Sequence, residues 1–172
     1  LQGVLNLLWS HLLPALGPAA LPADSAAQAK LTTRLAGLSL RRPVAVPTPA
    51  RAAALAGARY AFASNPLGIE ALAIENLAAD GPAAIKITMA GREERLLLGA
   101  DAWRKATVAD TPIAASGAWA ADDTFAFEIV RYRTPFATKF RLRFSGDEVA
   151  LETEPNLGPA SAKPPTLPGK RQ

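Results

Sequence analysis

Few side chains in this sequence could run a reaction, and their spacing does not suit one. None of Ser10, Ser25, Ser39, Ser64, Ser116, Ser145 and Ser161 has a lysine three residues on, and no Gly-x-Ser-x-Gly is present. A nucleophilic serine needs a base within hydrogen-bond reach. The only histidine, His11, lies in an apolar helical stretch, and one histidine cannot build a multi-histidine metal site. Cysteine is absent, which removes thiolate nucleophiles, disulfides and sulfur-ligated metals together. Asp122 and Asp123 before Thr124 read as turn formers rather than a metal loop. Glu93 and Glu94 lack a partner acid at a spacing diagnostic of glycosidase chemistry. Gly91 and Gly99 flank arginine-rich sequence without opening a helix, as a phosphate loop would. No catalytic residue, metal or cofactor is expected.

The charge pattern excludes another class. The pI is near 9.8, but the net charge is only +4, and Arg and Lys alternate with Glu or stand singly. A nucleic-acid binder would cluster its cations and interleave aromatics. The apolar run from Leu1 to Trp9 is too short to cross a membrane and lacks the basic start of a signal peptide. The chain reads as a piece of a longer protein.

The elements divide into helices and then strands. Val4, Leu5, Leu8, Trp9, Leu12 and Leu13 form the stripe of an amphipathic helix stopped by Pro14 and by Gly17 with Pro18. A second helix starts at a capping box of Ser25 and Gln28, with Ala27, Leu31, Leu35 and Leu38 on one face. The expected divisions are a helical segment at 1–42, a Pro/Ala-rich linker at 43–56, a β-barrel at 57–155 and an irregular tail at 156–172. Leu157 and Leu167 are the tail residues with the apolar character to tuck against the sheet.

Between Tyr60 and Glu154 the pattern predicts about eight short strands separated by turn signals, hence a closed antiparallel sheet. The last hairpin is the clearest. Phe140, Leu142 and Phe144 alternate with Lys139, Arg141 and Arg143, and a turn at Gly146 and Asp147 sets Phe144 opposite Val149 and Leu142 opposite Leu151. The same register places Arg141 against Glu152 and Lys139 against Glu154, so apolar pattern and charge agree. The inward candidates are Tyr60, Phe62, Ile85, Ile87, Phe125, Phe127, Phe140 and Leu142. They line a pocket for one small apolar ligand, or they fill a dry core.

The order of these segments resembles the C-terminal part of serine hydrolases of the β-lactamase and penicillin-binding-protein-like family. The resemblance rests on Leu8 to Pro14, on Leu21 to Leu31 with Leu35 and Leu38, and on the proline-containing linker. It continues through Gly57 to Phe62, Asn65 to Glu70, Ala115 to Trp119 with Asp123 to Phe125, and Tyr132 to Phe136. It implies an eight-stranded lipocalin-like barrel joined to a catalytic domain of the same polypeptide, in a periplasmic or secreted protein. The family's Ser-x-x-Lys nucleophile and assisting tyrosine do not occur here, so the resemblance implies an accessory barrel that shapes substrate access, docks the catalytic domain or assembles homo-oligomers. The alternative is a free-standing envelope barrel that binds a small apolar molecule. The upstream coding sequence separates the two.

Overall fold

The computed structural model describes residues 2–19, 22–157 and 166–172. Leu21 and residues 158–165 of the expected tail lie outside them. The chain forms two compact units, Leu1–Leu40 and Arg41–Gln172.

The first unit is helical. α1 (Gln2–Leu7) runs into a π-helical turn at Leu8–Leu12 and a 3-10 turn at Leu13–Ala15, where Pro14 ends the run. α2 (Ser25–Ala36) is capped by Asp24, whose side chain accepts the Ala27 N–H at 2.9 Å. The cap is therefore one residue earlier than the expected capping box. Every described residue of this unit is exposed, including the stripe residues Val4 at 70% and Trp9 at 66%.

The second unit is an antiparallel barrel of ten strands. They are β1 (Arg59–Phe62), β2 (Ile69–Asn76), β3 (Ala83–Met89), β4 (Arg92–Leu98), β5 (Arg104–Val108), β6 (Thr111–Ala121), β7 (Thr124–Val130), β8 (Ala137–Ser145), β9 (Glu148–Pro155) and β10 (Thr166–Arg171). The count corrects the expected eight. β5 and β10 are the additions, and the second replaces part of the expected irregular tail. Both are short, and β10 contains Pro168 and Gly169, residues that usually punctuate chains rather than extend strands.

Successive strands pair in order, with two exceptions. β10 lies between β9 and β1, and β4 does not pair with β5. The expected β8–β9 register is the observed one, with Leu142 opposite Leu151 and Phe144 opposite Val149. The nearest charges pair differently: Lys139 meets Glu154 at 3.8 Å, but Glu152 pairs with Arg143 at 3.7 Å rather than with Arg141.

Alternation places one face of each strand in a single apolar core. The expected linker at 43–56 joins this core. Its Val46 N–H bonds the Trp119 carbonyl at 2.8 Å, and a 3-10 turn at Ala50–Leu55 buries Ala52 and Leu55. On the outside, Glu75, Lys86, Glu93, Arg95 and Arg59 form a ladder of ion pairs across β1 to β4.

Candidate functional site

The eight predicted inward residues converge. Tyr60, Phe62, Ile85, Ile87, Phe125, Phe127 and Leu142 are buried in the core, and half-buried Phe140 packs against it. Phe140 stacks on Phe127 with ring centroids 4.6 Å apart and planes 4° from parallel. Trp119 and Phe144 complete the aromatic set, with Trp119 edge-on to Phe125 at 5.5 Å and 5.9 Å from Phe144. They stand outside the predicted lining set. The alternation of Phe144 with Phe140 and Leu142 carried the signal for it. The Trp119 indole N–H donates to the Leu77 carbonyl at 2.8 Å, which fixes the ring inside the barrel.

These rings pack closely against the strands beside them. A Cβ on Gly117 would stand 3.0 Å from the Phe125 ring and from the Phe127 Cβ, and one on Gly169 would stand 2.8 Å from the Phe62 ring. Both glycines occupy inward positions where aromatic rings lie against bare backbone. The Tyr60 hydroxyl is buried without a hydrogen-bond partner among the described residues. Burial pushes its pKa up, Arg171 pulls it down, Asp147 pushes it up and Arg51 pulls it down.

The sheet stays unpaired along one seam, between β4 and β5. Just past β4, Gly99 reaches across to β6, where its N–H bonds the Ala115 carbonyl at 3.3 Å. The Gly99 carbonyl accepts the Gly117 N–H at 3.0 Å and the Ser116 hydroxyl at 2.8 Å. Only glycine fits this junction, because a Cβ would stand 1.7 Å from the Ala102 carbonyl oxygen. From there β4 and β5 part without pairing. A cleft of about 350 Å³ lies between them, lined by Arg95, Leu97, Arg104, Lys105 and Ala106. Its volume sits at the low end of the roughly 300–1,000 Å³ usual for ligand sites. Ala106 and Val108 on β5, with Ile129 and Phe140 beyond, are core-packed residues that stay partly exposed. None of the cleft residues was singled out by sequence, because an unpaired edge is a property of topology.

The residues weighed for chemistry in the sequence stand apart from this cleft's lining. His11 is exposed on the first unit, Asp123 accepts the Thr124 hydroxyl at 2.7 Å in its turn, and Glu93 is held by Lys86 at 2.9 Å. Among the described residues no three His, Cys, Asp or Glu side chains converge as metal ligands, and no helix is long and apolar enough to cross a membrane.

No protein-family model matches the chain, and no curated sequence does. Among solved structures, the fatty-acid-binding protein of Drosophila melanogaster brain tissue aligns over 67% of this chain and 98% of its own, at 9% identity and a TM-score of 0.50. Fatty-acid-binding protein 1 of Echinococcus granulosus aligns over 60% of this chain and 72% of its own, at 10% identity and a TM-score of 0.47. Secretory abundant heat soluble protein 4 of Ramazzottius varieornatus aligns over 59% of this chain and 68% of its own, at 9% identity and 0.48. At these identities the Drosophila likeness is one of fold.

Proposed function

We propose that this chain is a non-catalytic barrel that binds a small, predominantly apolar molecule at the β4–β5 seam. The seam carries the reading: among the described residues it is where the sheet leaves two strands unpaired, and core-packed Ala106 and Val108 stand beside it. The fold shared with the Drosophila fatty-acid-binding protein fits this role. Rings packed on bare backbone at Gly117 and Gly169 favour the seam over a site deep among the aromatics.

The test uses N-phenyl-1-naphthylamine, an uncharged dye that brightens in apolar sites. Saturable binding at one dye per chain, lost in Ala106→Trp, is the expected result. Binding unchanged by Ala106→Trp would place the dye elsewhere and overturn the seam as the site.

A second reading has its own support. The first unit exposes Leu8, Trp9, Leu12, Leu31 and Leu35 together, more large apolar side chains than a solvated helical segment of its size carries. Such a face fits an accessory role in which this unit packs on another surface, and a catalytic serine hydrolase domain of the same polypeptide is the partner that the sequence resemblance implies. A coding sequence upstream without a Ser-x-x-Lys motif would end this reading.

A further inference from the structure

We propose that the seam selects ligands with an acidic headgroup, which Arg104 and Lys105 hold at its outer lip with Arg95 beside them. The inference rests on the seam being the ligand site and adds the chemistry of the ligand's polar end. Three of the five residues that line the cleft are cations. Their surroundings leave that charge available. Arg104 makes no ion pair among the described residues, and Lys105 is steadied without being neutralised, its ammonium 5.6 Å from the centre of the Tyr132 ring. Arg95 is tied to Glu75, which orients its guanidinium and offsets part of its charge.

Glu94 pairs with Ile87 on the opposite face of β4 from Arg95, and Glu93 is taken by Lys86 at 2.9 Å and Arg59 at 3.4 Å. Among the described residues the facing edges of β4 and β5 have no neighbouring strand. Three cations around Leu97 and Ala106 suit a molecule with an anionic head on an apolar body. Carboxylate and phosphate heads share that chemistry.

The experiment displaces bound N-phenyl-1-naphthylamine with octanoate, octyl phosphate and 1-octanol, which share one chain length. At least one of the two acids should displace the dye at a concentration tenfold or more below that of the alcohol, and the better of them identifies the headgroup. With each displacement constant corrected for the variant's own measured dye affinity, Arg104→Gln with Lys105→Gln should bring the better acid to parity with the alcohol, whereas Arg104→Lys should keep the preference. Amide shifts on adding that acid should concentrate at residues 94–98 and 104–108. Parity between acids and alcohol in the parent, or a preference that survives the double substitution, would overturn the acidic headgroup while leaving the seam as a site. Failure of the dye itself to bind would remove the seam reading and this inference together.

Discussion

At the scale of single residues, close packing inside the barrel gives the sharpest expectations. A methyl group on Gly117 meets the Phe125 ring and the Phe127 Cβ at 3.0 Å, closer than ordinary contact. Gly117→Ala should therefore destabilise by about 1–3 kcal/mol, the usual cost of overpacking. A urea midpoint unchanged from the parent would mean that the inner face has room to spare. Phe127→Ala empties a fully buried position and should cost about 3–5 kcal/mol. Exposed Arg141, one strand away and facing out, should cost no more than about 0.5 kcal/mol when changed to Ala. Phe140 is the intermediate case: its stacked face is protected and its other side is open, so Phe140→Ala should fall below the Phe127 value. One charge works against the fold. Burial raises the Glu128 pKa, Lys139 opposite it pulls it down, and Glu154 beyond adds an upward push. A carboxyl with a folded pKa above its unfolded one makes the folded state bind more protons, so its contribution to stability falls as pH rises through that window. Glu128→Gln should raise the melting temperature at pH 7, and the gain should disappear below about pH 3, where both side chains are neutral. A gain that persists in acid would point to packing rather than charge.

At the scale of elements, the barrel carries its own core. Every buried side chain among the described residues lies at Ala52 or beyond. Deleting residues 1–40 should leave a sheet-type circular dichroism spectrum and one cooperative melt. Loss of the melt would show that the helices complete the core. Local alternation made eight of the ten strands legible, and in β8 and β9 charge and apolar pattern both specify the register. β5 escaped because its inward side is only Ala106 and Val108 across from polar Lys105 and Thr107. β10 escaped because Pro168 and Gly169 look like chain breakers; Pro168 fits opposite Ala150, and Gly169 leaves space for Phe62. The candidate interior was readable for the same reason as the strands, by alternation of aromatics. The seam was not, because it depends on which strands fail to pair, and that is decided by the Gly99 junction and the whole strand order.

At the scale of the molecule, the place of β10 has a consequence for how the barrel is held together. Every other strand pairing joins sequence neighbours, so the chain from β1 to β4 and the chain from β5 to β9 can each form as a local meander. β10 alone bonds to both, pairing β9 on one side and β1 on the other, a partner more than one hundred positions earlier in the sequence. Its last residues reinforce the join: the Gln172 N–H bonds the Arg59 carbonyl at 2.9 Å, and the Arg171 N–H bonds the Asp147 carbonyl at 2.8 Å. Across the other side, backbone hydrogen bonds at Gly99 tie the end of the first meander to β6 of the second. The final strand is thus a clasp, and closing it carries the largest loop-closure entropy in the fold. Removing residues 166–172, seven residues with a single buried leucine among them, should abolish the cooperative melt and leave partly ordered meanders with exposed edges prone to self-association. A truncated chain that still melts in one sharp step would show that the core holds without the clasp. Folding should show the same order in time, with amides of β8 and β9 protected from hydrogen exchange before those of β1 and β10.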